Sequence, residues 1–194
     1  VPGVFEILNG DVNLNQIREV KVEDLLRRDQ VNLNTEDISS YVKGKNVLIT
    51  GGAGSIGSEL CRQVARFGPK KLIIFDINEN NTYFLELELN EEYDDLNVTP
   101  VIGSIRDKKK LEQTFTCHEP DVVFHAAAHK HVPLMEHNPE EAIKNNVMGT
   151  KNVAEVAAEF HIDRFVLVST DKAVNPTNVM GATKRAAEMI VQRM

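Results

Sequence analysis

The sequence holds no tryptophan, three tyrosines and two cysteines in 194 residues. The cysteines, Cys61 and Cys117, form no C-x-x-C pair, so neither a disulfide framework nor a thiolate metal site is expected. Both fall in stretches of helical period and read as buried, reduced thiols of a cytosolic protein. No apolar run approaches the ~20 residues that a membrane span requires, and no signal-peptide pattern opens the chain. Positive charge is also short: 22 Lys and Arg stand against 29 Asp and Glu, a net charge of −7. That balance argues against a nucleic-acid or anionic-membrane surface. An acidic protein can still hold a phosphorylated ligand through backbone N–H groups and a few placed cations. What remains is ordinary, 42% apolar and 26% charged, and implies one sizeable core plus an appendage. The opening on Val1 reads as a piece cut from something longer.

Residues 1–44 are polar and Asn-rich and read as an N-terminal arm with short helices near 22–28 and 35–42. Such an arm would pack on a neighbouring domain or subunit. From Lys45 the pattern becomes a strand–helix alternation. Apolar, β-branched runs at 46–50, 71–75, 98–102, 121–125 and 164–169 alternate with helical periods at 55–67, 80–92, 107–116, 139–160 and 180–194. Continuous apolar strands, each followed by a helix, predict an α/β doubly wound parallel sheet over 45–194, a Rossmann fold.

The first strand runs into Thr50-Gly51-Gly52-Ala53-Gly54-Ser55-Ile56-Gly57, which satisfies both G-x-G-x-x-G and G-x-x-G-x-x-G. Glycine there allows the tight turn, the approach of backbone to a pyrophosphate, and the packing of helix on strand. The helix that follows offers unpaired N–H groups and a positive dipole end to the phosphates at Ser55, Ile56 and Gly57. The second strand ends at Asp76, whose carboxylate suits the two hydroxyls of an adenosine ribose and repels a 2′-phosphate. With no arginine in Ile77–Asn80, the expected cofactor is NAD rather than NADP. Ser104 and Ile105 follow the third strand, where such folds hold the adenine. Ala126, Ala127 and Ala128 follow the fourth and let a cofactor lie close to backbone. Four histidines, His125, His129, His131 and His137, cluster without a well-spaced acidic partner, so no metal is expected.

Three stretches carry a more specific signal: His125-Ala126-Ala127-Ala128-His129-Lys130-His131-Val132-Pro133, Asn145-Asn146-Val147-Met148-Gly149-Thr150, and Val168-Ser169-Thr170-Asp171-Lys172-Ala173-Val174-Asn175-Pro176 followed by Gly181-Ala182-Thr183-Lys184. In these the chain resembles the bacterial polysaccharide-biosynthesis (capsular, CapD-like) family of UDP-N-acetylglucosamine 4,6-dehydratases, extended short-chain dehydrogenases/reductases. One departure stands out. Met180 occupies the place where most relatives carry the tyrosine of Tyr-x-x-x-Lys, as in the large membrane-attached subgroup, and a thioether is no base at neutral pH.

The resemblance implies an NAD-dependent enzyme that oxidises carbon 4 of a UDP-sugar, eliminates water across carbons 5 and 6, and returns the reducing equivalent to carbon 6. It assigns Lys172 as base at carbon 5 and Asp171 as acid at the carbon-6 oxygen. Thr170 becomes the partner of the carbon-4 oxygen, and Lys184 holds the nicotinamide ribose. It also places Lys130 and Asn146 near the cofactor, and His131 and Asn175 near the substrate. A cytoplasmic homo-oligomer is implied, the full-length protein attached to the cytoplasmic face of the inner membrane. So is a further substrate lobe, without which this piece is expected to bind cofactor with little turnover. A 4- or 5-epimerase and a non-catalytic NAD-binding regulator are the rival readings.

Overall fold

The apolar runs become five parallel strands, β1 (Asn46–Thr50), β2 (Lys71–Asp76), β3 (Val98–Ile102), β4 (Val122–His125) and β5 (Arg164–Leu167), in the order β3-β2-β1-β4-β5. The computed structural model describes residues 35–194. The register sets Thr50 beside Phe75 on one side and His125 on the other. The carboxyl ends of these three central strands therefore share one edge of the sheet. Pro100 sits in β3, an edge strand, where a missing N–H is tolerated.

The helices are α1 (Thr35–Val42), α2 (Ser55–Ala65), α3 (Glu79–Glu92), α4 (Lys108–His118), α5 (Val132–His137), α6 (Pro139–Ala142), α7 (Thr150–Glu159) and α8 (Val179–Val191). A π-helical stretch, Ile143–Gly149, joins α6 to α7, and a 3₁₀ turn, Asp171–Ala173, follows β5. Alternate strand residues point to opposite faces, so each face acquires its own core. Val47, Ile49, Leu72, Ile74 and Phe124 pack with Cys61 and Val64 of α2 and Leu85 and Leu89 of α3. Leu48, Ile73, Phe75 and Val123 pack with Leu111 and Phe115 of α4 and Val153 and Val156 of α7. This is the α/β doubly wound sheet expected from the sequence.

Several boundaries differ, each for a local reason. The stretch 139–160 is not one regular helix: after Ala142 the turn widens to π geometry over Ile143–Gly149, and the regular helix resumes at Thr150. The fifth strand ends at Leu167 rather than 169, because Val168 and Ser169 are held by side chains of α8. The last helix starts at Val179, one residue early, where Asn178 caps it by accepting from Gly181 N at 2.8 Å. Cys61 is buried but Cys117 is exposed on α4, which corrects the expectation that both thiols are internal.

The helix expected near 35–42 is α1. Its end joins the core: Val42 is buried and Tyr41 packs beside it, with the Arg164 guanidinium 5.1 Å from the Tyr41 ring centroid. The composition change at residue 44 therefore lies inside the compact unit Thr35–Met194. The helix expected near 22–28 lies outside the described residues.

Candidate active site

The glycine loop is held by backbone against β4. Gly51 adopts φ 70°, a conformation that favours glycine, and a Cβ there would stand 2.5 Å from Ala127 N. Ala126 N donates to Thr50 O at 2.9 Å. A Cβ on Gly57 would overlap the Gly51 carbonyl oxygen, so loop and helix can meet this closely only without a side chain. Helix α2 begins after Gly54 with no side-chain cap, and Ser58 N is already taken by Gly54 O at 2.8 Å. Its first turn thus presents a dipole end and N–H groups of Ser55, Ile56 and Gly57 to whatever lies in front.

In front lies a cleft of about 460 Å³, lined by Gly51, Gly54, Asp76, Ser104, Ile105 and Ala126–His129, among others. Asp76 is 9% exposed, and its two carboxylate oxygens accept from Ala53 N at 3.0 Å and Asn78 N at 2.8 Å. A carboxylate has about four acceptor positions, so each oxygen keeps room for a hydroxyl from the cleft. Ile105 is buried and supports the floor, and Ser104 Oγ accepts from Arg106 N at 3.2 Å. Arg106 also pairs with Glu141, closing the far wall. The Arg106 guanidinium, aided by Lys144, pulls the Glu141 carboxyl down to about 2.

A second hollow of about 220 Å³ continues along the loop between Ser55, Ile56 and Gly57 on one side and Lys130, His131 and Met135 on the other. Lys130 Nζ donates to Ser55 Oγ at 2.7 Å, which sets an ammonium directly over the first turn of α2.

Beneath these hollows runs a buried polar chain that the sequence did not announce. His125 is fully enclosed, with Nδ1 2.6 Å from Thr50 Oγ1 and Nε2 2.9 Å from Thr150 Oγ1. Thr150's single hydroxyl proton is directed to Asn146 O, so Nε2 carries the ring proton and Nδ1 accepts from Thr50. Burial, with Lys184 nearby, lowers the His125 pKa to about 3, and the ring is neutral. Both nitrogens are engaged by threonines, which removes His125 from any metal reading. Among the described residues no three His, Cys, Asp or Glu side chains converge on a possible metal position.

Asn146 is buried and fully employed. It accepts from His129 N at 2.8 Å and donates to His129 O at 2.9 Å and to Thr183 Oγ1 at 3.1 Å. It therefore holds the loop after β4 to the helix across the sheet edge. His129 is kept below its usual pKa, first by burial and then by Arg106.

The remaining candidates gather after β5. Thr170 Oγ1 donates to Asp171 Oδ1 at 3.0 Å, and Lys172 Nζ donates to the same oxygen at 3.4 Å. The Asp171 and Lys172 side chains are 85% and 51% exposed. Thr170's hydroxyl, then Lys172, hold the Asp171 carboxyl below its ordinary range, so in this open geometry it is a carboxylate rather than an acid. Lys184 is the opposite case: 6% exposed, donating to Val168 O at 2.7 Å, with its pKa lowered by burial. Met180 is buried in an apolar cluster with Met135 and Ala142, and its side chain offers no titratable group. Asn175 is exposed at φ 53° on the loop to α8, and His131 precedes α5 at the rim of the smaller hollow, its side chain making no capping bond.

Two positioning contacts were missed in the sequence. A Cβ on Gly181 would overlap the Lys172 carbonyl, and Glu136 accepts from Val179 N at 2.7 Å. Both pair residues distant in sequence, and neither left a local signal.

The profile of the family described as polysaccharide biosynthesis protein matches residues 47–194. The chain is 49% identical over its whole length to the capsular polysaccharide biosynthesis protein CapD of Staphylococcus aureus and spans 33% of that protein. It is 38% identical over 148 residues, 76% of its length, to a UDP-N-acetylglucosamine 4,6-dehydratase (inverting) of Campylobacter jejuni, covering 42% of it. Among solved structures, the Bordetella bronchiseptica enzyme WbmG in complex with NAD and UDP superposes with a TM-score of 0.64 at 25% identity, over 78% of this chain and 50% of that one. The chain thus spans between a third and a half of the length of these proteins.

Proposed function

The chain belongs to the polysaccharide biosynthesis protein family, and from that premise we propose that it is the NAD-binding part of a nucleotide-sugar 4,6-dehydratase acting on UDP-N-acetylglucosamine. The residues fit NAD: an uncapped helix start, a cation over it at Lys130, and Asp76 with free acceptor positions for ribose hydroxyls. Asp76 would repel a 2′-phosphate, which favours NAD over NADP. Ser55, Ile56, Gly57 and Lys130 would hold the pyrophosphate, Ser104 and Ile105 the adenine side, and Ala126–Ala128 the passage along β4. When bound, NAD⁺ supplies the oxidant at carbon 4 and, once reduced, the reductant at carbon 6.

The chain's own residues would do the rest. Lys184 would hold the nicotinamide ribose, and Thr170 would donate to the carbon-4 oxygen. Lys172 would accept the carbon-5 proton, which the ketone at carbon 4 acidifies, and carbon 5 would regain a solvent-exchanged proton as carbon 6 is reduced. Asp171 would give its proton to the departing carbon-6 oxygen, with His131 and Asn175 along the substrate. The observation that carries this reading is the turn Thr170–Asp171–Lys172. It sets a carboxyl and an amine on adjacent residues at the sheet edge that also carries the glycine loop. An epimerase opens with the same oxidation but needs no acid at carbon 6. Met180 leaves no tyrosine hydroxyl for the carbon-4 proton, so that proton leaves by another route.

Among the described residues no helix is long and apolar enough to cross a membrane. Attachment of the full-length protein to the inner membrane stays part of the proposal; one relative, 51% identical over 155 residues, is called an uncharacterized membrane protein of Methanocaldococcus jannaschii.

The test is incubation of the full-length protein with NAD⁺ and UDP-N-acetylglucosamine in D₂O, followed by NMR. A 4-keto-6-deoxy product with deuterium at carbon 5 is expected. Asp171→Asn should lower its rate by about 10²–10⁴-fold, the usual worth of a positioned acid. With the carbon-6 hydroxyl retained, deuterium at carbon 5 would overturn dehydration in favour of a 5-epimerase, and inversion at carbon 4 without deuterium in favour of a 4-epimerase. Bound NAD with an unchanged sugar would point to the regulator.

A further inference from the structure

The segment leaving β5 is short, polar and largely exposed, so its position depends on what grips it. The grip comes from α8. Gly181, Lys184 and Glu188 follow one another at three and four residues and so line one side of that helix. Gly181 lies directly against the Lys172 carbonyl. Lys184 Nζ donates to Val168 O at 2.7 Å, and the Ser169 hydroxyl donates to Glu188 Oε1 at 2.6 Å. The other Glu188 oxygen accepts from Arg185 Nη1 at 2.8 Å, and the Glu188 side chain is 21% exposed. Lys184 itself is 6% exposed, and a cation removed from water needs a compensating anion.

We infer that Glu188 is a positioning residue of the candidate site: its carboxylate fixes Ser169 at the head of the Thr170–Asp171–Lys172 turn and balances the charge of Lys184 one helical turn away. The inference rests on the reading of Lys184 as the cation that holds the nicotinamide ribose. Glu188 is assigned no contact with cofactor or sugar. Among the described residues, the groups in electrostatic contact with Lys184 are Glu188 on its own helix and His125 on β4, which is neutral; Asp171 and Lys172 lie on the turn packed against the same helix. Burial lowers the Lys184 pKa and Glu188 holds it up. In return the Ser169 hydroxyl, Arg185 and Lys184 keep Glu188 ionised.

Charge and geometry can be separated. Glu188→Gln keeps an oxygen that accepts from Ser169 but removes the charge. Ser169→Ala removes the bond but keeps the charge. The readout is NAD affinity of the full-length protein by calorimetry from about pH 6 to about pH 10, a range that spans the titration of a lysine with a lowered pKa. Wild type should lose affinity on the alkaline side as Lys184 gives up its proton. In Glu188→Gln that loss should begin at a lower pH than in wild type, because an opposing charge has gone.

Ser169→Ala should leave the alkaline limb in place while kcat falls roughly ten- to a hundredfold with KM little changed, the signature of a displaced turn. Glu188→Asp keeps the charge but shortens the reach. It should retain the limb and lose kcat, and it carries the test if the Gln variant does not fold. A limb unmoved in Glu188→Gln, or displaced in Glu188→Asp, overturns the inference alone. A wild-type protein that does not bind NAD overturns the reading of the site instead.

Discussion

Gly57 shows how a single residue type can be dictated by sterics. Any Cβ there would overlap the Gly51 carbonyl oxygen, and that atom belongs to backbone already pinned against β4, so neither side can yield cheaply. Gly57→Ala should therefore cost about 1–3 kcal/mol of stability, as overpacking does, and weaken NAD binding by displacing the first turn of α2. Thermal unfolding and calorimetry would read the two effects, and an alanine variant with wild-type NAD affinity would contradict the assigned role. His125 makes a pH prediction. Its folded pKa of about 3 lies below the ordinary 6.5, so the neutral ring contributes stability that is fully present above 6.5 and is lost as pH falls toward 3. Below 6.5 this group alone costs about 1.4 kcal/mol per pH unit. Urea unfolding between pH 7 and pH 5 should show a shallower slope in His125→Gln than in wild type, and parallel slopes would refute the buried neutral ring.

The π-helical stretch between α6 and α7 makes its argument at the level of the element. It turns Asn146 inward, where the amide clamps both backbone polar groups of His129 and reaches Thr183 on α8. Asn146→Ala would remove the partners of the part-buried His129 N–H and carbonyl, at about 0.5–1.5 kcal/mol for each bond. It should also loosen Ala126–Lys130, which lines both hollows. The expected result is a lower unfolding midpoint together with weaker NAD binding. Loss of stability with unchanged affinity would separate the clamp from the cofactor cleft.

Asn146 also marks where sequence reading ended. The strands, the glycine loop and Asp76 were legible because each carries a local signal: an apolar run, a steric demand, a carboxylate at a strand end. The π turn was not, since the apolar period of a regular helix carries no mark of the wider turn at Ile143–Gly149. The Thr50–His125–Thr150 chain joins residues of ordinary type on separate elements, and its partners appear only when β1, β4 and α7 are assembled. Met180 was visible as a missing hydroxyl, but its burial against Met135 and Ala142 was not.

Over the whole described unit, the two halves of the proposed chemistry are unequally enclosed. The dinucleotide cleft has a floor, walls and an anion-binding helix start. The turn that would work on the sugar has none of these: Asp171 is 85% exposed and its carboxyl is held below its ordinary range. A group that must arrive protonated at the carbon-6 oxygen needs the opposite environment, one that excludes water and raises the carboxyl pKa. Nothing among the described residues covers Asp171, so cofactor binding and elimination should come apart. The 194-residue chain is expected to bind NAD, measured by calorimetry, yet to give no 4-keto product from UDP-N-acetylglucosamine by NMR under conditions where the full-length protein does. A rate in the 194-residue chain close to that of the full-length protein would mean that the open turn is already competent. In that case Asp171 is not the acid, and the proton for the departing oxygen comes from solvent.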